Sequence, residues 1–113
     1  AVLGTIGIGD IGMLFPDTDP AYKNVDSRKL LRTAMNHLRS NGGEVTWVDA
    51  NVVAEQPKLS PHRTDIIKSI AETMGLPSDR ISIKAKTSEG LGFVGRREGI
   101  AVQAVVTVQI NTE

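Results

Sequence analysis

The residues near the end of the chain, from about Ile100 to Ile110, alternate without a break. Val102, Ala104, Val106, Val108 and Ile110 fall on one side, and Ala101, Gln103, Val105, Thr107 and Gln109 on the other. A two-residue period this rich in valine marks a β-strand, and a strand needs partners for its backbone N–H and C=O groups. Two other segments supply them. Val45 to Ala54 is dense in β-branched residues, with Val48, Ala50, Val52 and Ala54 on one face. Ile81, Ile83 and Ala85 alternate with Ser82, Lys84 and Lys86, which predicts a shorter strand.

Helical spacing fills the intervals. Asp26 or Ser27 caps a helix carrying Leu30, Leu31, Ala34, Met35 and Leu38, ended by Asn41-Gly42-Gly43. Ser60 as cap and Pro61 as first helical residue open a second, with Ile66, Ile67, Ile70, Ala71 and Met74 inward and Gly75 as its stop. Residues 1–7 read as the last turns of a helix closing around Gly7. The order α-β-α-β-β predicts a single α+β domain over residues 1–113, its helices packed on one face of a small mixed sheet. The other face, with Val105 among glutamines and threonine, is either mildly exposed or pressed against another subunit.

Thirteen basic residues balance thirteen acidic ones, which argues against a general nucleic-acid or membrane-surface binder and leaves room for a local basic pocket. Without cysteine there is neither a disulfide framework nor a thiolate metal site. No apolar run approaches a membrane span, and no signal-peptide pattern opens the chain. The first residue is Ala, and Ala1-Val2-Leu3-Gly4 starts with no cap before it. The chain reads as the continuation of something already under way.

The chemistry concentrates in loops. Gly9 to Pro20 packs Asp10, Asp17 and Asp19 among glycines and prolines around Ile11, Met13, Leu14 and Phe15. That composition describes an ordered loop pinned by buried apolar side chains and presenting carboxylates and amides. The aspartates are acids, metal ligands or hydroxyl acceptors on one reading, and caps of their own turns on the other. Lys84 to Gly90 leaves a strand for a Gly-rich turn, where hydroxyls, freed backbone N–H groups and two lysines suit phosphate oxygens. Glu89 there suits a hard divalent cation bridging them, and the plain alternative is a polar turn at a strand end. Phe93 to Gly99 sets Arg96 and Arg97 among glycines, either as an anion site or as a surface ion pair with Glu98. His37, on the polar side of its helix, and His62, beside Pro61, do not make a zinc site.

Three separated segments then agree. Gly-Asp-Ile-Gly-Met-Leu-Phe-Pro-Asp-Thr-Asp-Pro at 9–20, followed by Asp26-Ser27-Arg28, resembles the signature loop of the 2-C-methyl-D-erythritol 2,4-cyclodiphosphate synthase family. Ala54 to His62 is similar to that family's cytidine loop, and Ile83 to Arg96 to its phosphate and metal segment. The resemblance covers essentially the whole chain in order.

The resemblance implies an enzyme of non-mevalonate isoprenoid precursor synthesis. In 4-diphosphocytidyl-2-C-methyl-D-erythritol 2-phosphate, the 2-phosphate attacks the β-phosphorus of the diphosphate, closing the ring and expelling CMP. A Zn2+ and a Mg2+ or Mn2+ act on the phosphates in such enzymes. By the same resemblance Asp10 binds the methylerythritol hydroxyls with the backbone of Ile11 and Gly12, while Phe15, Pro16, Asp17, Thr18 and Asp19 line that part of the pocket. Ala54, Glu55, Gln56, Pro57, Lys58, Leu59 and Ser60 surround cytosine, with Lys58 on the diphosphate side. Thr87 stabilises the transferring phosphate, between Lys86 and Ser88, and Glu89 holds the second metal. Phe93 and Arg96 stand at the central channel of a homotrimer, where an isoprenoid diphosphate can sit. The implied trimer has its sheets facing a threefold axis and its active sites between subunits, in the bacterial cytoplasm or a plastid.

Lys86 stands where many members have Thr, and Val94 and Arg97 replace smaller or hydroxylated residues. The family's zinc ligands, an Asp-x-His pair and a later His, together with the first strand and a hairpin, are expected upstream of Ala1. Two readings follow: the C-terminal portion of a complete synthase, or a non-catalytic truncated trimer that retains a CDP and anion pocket.

Overall fold

The structure, a computed structural model, describes residues 1–16 and 18–111, with Tyr22 described by its backbone alone. The three predicted strands form one mixed sheet in the order β2-β1-β3: β1 is Gly43–Val53, β2 is Ile81–Lys86 and β3 is Ala101–Ile110. β1 runs parallel to β2 and antiparallel to β3. The parallel pair demands a crossover, which is made by a helix. Four α-helices lie among the described residues, besides short 3-10 turns: α1, Ile11–Leu14; α2, Ser27–Ser40; α3, Arg63–Met74; and α4, Gly92–Gly95. Helix α2 packs on β1, α3 on β2, and the two helices on each other.

Register explains the core. Val48 pairs with Ile81 and Val106, Ala50 with Ile83 and Ala104, and Val52 with Ala85 and Val102. Paired residues point to the same face, and Val48, Ala50, Ile81 and Ile83, with Val52 and Val106 beside them, meet Ala34, Met35, Leu38, Ala71 and Met74 from the helices, whereas Val102 and Ala104 are exposed. Met35 and Leu38 are fully buried. Ala85, predicted inward, is exposed, because β2 outruns the helix cover at its end.

Local chemistry ends each helix. Asp26 accepts from Arg28 N at 2.9 Å and pairs with its guanidinium at 2.7 Å, which holds the Asp26 carboxyl down to about 2. Gly75 takes φ +67 and closes α3, whose last carbonyl, on Met74, accepts Arg39 Nη2 at 2.7 Å. The second helix begins differently from expectation. Ser60–His62 form a 3-10 turn without a side-chain cap, and α3 starts at Arg63. His62 N closes that turn on the Leu59 carbonyl at 2.8 Å, so the backbone supplies the bond a serine cap would have made. Residues Leu3–Ile6 are one 3-10 turn closed by Gly7, with Val2 and Leu3 buried in the core. No helix among the described residues is long and apolar enough to cross a membrane.

A groove of about 640 Å³ remains between the helices and the sheet, lined by apolar residues including Leu31, Ile66, Val52 and Val102. Asp10, Ile11 and Phe15 stand on its border.

Candidate site at the carboxyl ends of the parallel strands

Because β1 and β2 are parallel, both chains leave the sheet at the same end, and the loops that follow them meet there. Ala54 N donates to the Lys86 carbonyl at 2.9 Å, extending the pairing by one step. The segment 54–60 is thereby set beside the turn 87–91.

One carboxylate joins them. Glu55 Oε1 accepts Ser88 N at 3.0 Å and Gly90 N at 3.2 Å. These amide donors, with the Ser88 hydroxyl and the positive field of Arg97, hold the Glu55 carboxyl below the usual glutamate range. Ser88 Oγ lies 3.2 Å from the same oxygen and 2.8 Å from the Leu91 carbonyl, so its single proton serves both or the nearer. The expectation that the turn's amides are free for phosphate is therefore corrected at two positions. A protein anion occupies them, because a tight turn cannot leave converging N–H groups unpaired beside a carboxylate.

What the turn does present is Thr87 and Glu89, both exposed. Glu89 N donates to Thr87 Oγ1 at 3.3 Å, which leaves the hydroxyl proton to point away from the turn. Glu89 adopts φ +54 and Gly90 φ +77, consecutive left-handed residues that swing the Glu89 side chain out of the sheet's line. Lys84 is drawn away from the turn: its Nζ lies 3.0 Å from Asp49 on the outer face of the sheet. Lys86 shares that face by alternation, at the strand's end. Lys58 is exposed in the 54–60 loop, where the Gln56–Pro57 peptide bond is cis.

The aspartate loop sits apart from this junction, against the groove. Asp10 Oδ1 caps α1, accepting Met13 N at 2.9 Å, and Asp19 Oδ1 accepts Ala21 N at 3.0 Å. Turn capping is thus real at both positions. Asp17 lies outside the described residues. The apolar pins differ from expectation as well. Leu14 packs against the core and Phe15 is half-buried, but Ile11 is 54% exposed and Met13 more so. Ile11 faces the mouth of the groove, and the Met13 thioether lies over Gly9, so these side chains cover the loop without entering the core. Asp10 lines the groove, and Lys58, Thr87 and Glu89 do not.

Arg96 places its Nε 2.8 Å from Glu98 Oε1, the surface pair that sequence offered as one alternative. Phe93 is half exposed, Val94 buried, and Gly99 lies against the Phe93 ring. Among the described residues no three His, Cys, Asp or Glu side chains converge as a metal cluster. Zinc therefore finds no donor set in them. Glu89 offers one exposed hard oxygen donor at the turn. Sequence reasoning missed Gly95, whose Cβ-less edge meets the Gly90 backbone, and nothing but its place among four nearby glycines pointed to it.

The YgbB family model matches residues 1–109. A 2-C-methyl-D-erythritol 2,4-cyclodiphosphate synthase of Cupriavidus pinatubonensis is 51% identical over 108 residues, 96% of this chain and 64% of that protein. The chain spans 64% to 71% of the length of the curated relatives it matches. Among solved structures, the bifunctional IspDF from Campylobacter jejuni superposes with a TM-score of 0.94 at 43% identity, over 98% of this chain and 30% of that one. A 2C-methyl-D-erythritol-2,4-cyclodiphosphate synthase in its CDP-bound form superposes at 0.88, with 38% identity, over 96% of this chain and 70% of that one.

Proposed function

This chain belongs to the YgbB family, and from that premise we propose that it serves the reaction for which its relatives are named. In that reaction 4-diphosphocytidyl-2-C-methyl-D-erythritol 2-phosphate is cyclised. An oxygen of the 2-phosphate bonds to the β-phosphorus, the bond from that phosphorus to the oxygen bridging toward cytidine breaks, and CMP leaves with the electron pair. Nucleophile and electrophile belong to one molecule, so the protein's work is folding the substrate and neutralising charge.

The observation that carries this reading is the junction of the 54–60 loop with the Thr87–Gly90 turn at the ends of the parallel strands. Thr87, its hydroxyl oxygen engaged by Glu89 N, donates its proton to the phosphate that changes hands. Lys58 and Lys86 offset diphosphate charge. Glu89 would hold a Mg2+ or Mn2+ ion against the substrate's phosphates, where the ion supplies Lewis-acid charge neutralisation. Asp10, with Oδ1 committed to its cap, turns Oδ2 to the methylerythritol hydroxyls.

We also propose the trimer. Val105 is 68% exposed on the outer sheet face, in a row with Trp47, Asp49 and Asn51 that a neighbouring sheet would cover. Light scattering at three times the 12.1 kDa chain mass would support it.

A second reading rests on the absence of a three-ligand metal cluster among the described residues: a trimer that binds CDP without turnover. One assay separates the two. CMP release from the substrate is measured with Zn2+ and Mg2+ together, alongside CDP binding by calorimetry. Turnover supports the synthase reading, CDP binding without CMP release supports the second, and neither result overturns both.

A further inference from the structure

We infer that Glu55 is a positioning residue for Glu89: its carboxylate grips the amides on either side of Glu89 and so aims a second carboxylate that the divalent cation would use. The inference deepens the proposed function and rests on it for the identity of the cation site.

The geometry is specific. Glu55 Oε1 takes the Ser88 and Gly90 amides at 3.0 and 3.2 Å, and Glu89 lies between them in sequence. The two amides converge only because Glu89 and Gly90 both take left-handed conformations, at φ +54 and +77. A glutamate does not stay there unless its surroundings over-determine it. Glu55 supplies that constraint from one side. From the other, the Gly90 backbone rests against Gly95, at an approach that leaves no room for a Cβ. Below, Gly95 N donates to the Leu91 carbonyl at 3.0 Å and Leu91 N to the Ser88 carbonyl at 3.0 Å, which ties the turn to the start of α4. The Gly90 and Ser88 amide bonds favour the ionised form of Glu55, a strong acceptor, and Arg97, itself at φ +61, adds a smaller positive field.

This arrangement divides labour between two glutamates that sequence alone would class together. With Oε1 committed to two N–H donors, Glu55 is a poor cation ligand. Glu89 has no such commitment: its backbone is fixed and its carboxylate is exposed. The cytidine loop and the phosphate turn are therefore one unit, and a displacement of residue 55 is transmitted to the metal-binding carboxylate. A carboxylate held this way loses less conformational freedom when it binds an ion.

The test uses the intact protein with Mn2+ as probe, titrated by EPR in the presence and absence of CDP. Glu89→Gln should abolish the Mn2+ site. Glu55→Ala should weaken Mn2+ binding at saturating CDP by about tenfold or more, the size of effect typical when the partner of a ligand is removed. Glu55→Gln keeps a carbonyl oxygen at the same place and should restore most of the affinity. If Glu55→Ala leaves Mn2+ binding at saturating CDP unchanged, the inference is wrong. A second readout needs no ligand. The Ser88 and Gly90 amide protons should exchange slowly with solvent in the wild type and markedly faster in Glu55→Ala. Lack of Mn2+ binding by the wild type would sink the functional reading, whereas Ser88 and Gly90 amides that exchange equally fast in both chains would sink the positioning role itself.

Discussion

Gly95 stands so close to Gly90 that a Cβ on Gly95 would overlap the Gly90 carbonyl and lie 2.7 Å from its Cα. Two backbones touch there without a side chain between them, and one of them carries the turn that presents Thr87 and Glu89.

Gly95→Ala should therefore displace the turn rather than find room for itself. The expected cost is about 1–3 kcal/mol of stability, as for other insertions of a methyl into filled space, together with loss of divalent-cation binding. Gly4→Ala is the control, since a Cβ at Gly4 meets nothing within 4 Å. Denaturant unfolding of both variants reads the comparison, and equal stability would mean that the Gly90 backbone yields freely.

Asp10→Asn separates the two duties assigned to Asp10. Asparagine still caps a helix start, so α1 should survive. The charge proposed to meet the sugar alcohol is lost, so KM for the full substrate should rise with CMP affinity unchanged. Equal loss of both would count against the assignment.

Asp26 gives a pH prediction. Its carboxyl is lowered from an ordinary 3.8 to about 2 in the folded chain by the Arg28 guanidinium and amide. Above the ordinary value it is ionised in both folded and unfolded chains, and its contribution to stability is complete. As pH falls from 3.8 toward 2 the unfolded chain takes up the proton first, so this contribution is lost across that window. Urea midpoints measured at several pH values should show a shallower acid loss for Asp26→Asn than for the wild type. Parallel slopes would show that the pair does not matter to folding.

Leu38 is fully buried, with Gly43 packed onto its side chain. Leu38→Ala should cost about 3 kcal/mol, within the range for leucine truncation in a filled core. CDP and Mn2+ binding should be unchanged under folding conditions, because Leu38 packs at the amino end of β1, opposite the carboxyl ends where the candidate site lies. A loss of binding without a loss of stability would refute that separation.

Much of the fold was legible from spacing. Alternation at 101–110 and apolar spacing in 30–38 and 66–74 named the strand and the two long helices, because a face that must be hidden imposes its period on the sequence. Gly75 was legible as a stop for the same local reason. The start of α3 was less so, since a serine before a proline signals a cap whether or not its side chain makes the bond. In the candidate site, Asp10, Thr87 and Glu89 were marked by residue type and by resemblance. Glu55 was marked for the cytidine loop, and its hold on the turn 33 to 35 positions away was invisible.

The glycines show where the boundary falls. Gly90, Gly92, Gly95 and Gly99 look alike in sequence, yet Gly90 and Gly92 serve by their positive φ, Gly95 by admitting another backbone and Gly99 by lying against an aromatic ring. Sequence by itself determined the α+β class, the strand and helix periods, and the residue types able to handle phosphate and a hard cation. Those depend on burial patterns and chemistry that repeat over a few residues. The tertiary structure decided that β1 and β2 end together, that Glu55 meets Ser88 and Gly90, and that Lys84 turns to Asp49. Such pairings depend on strand direction and register, which join residues far apart in the chain and leave no periodic trace in it.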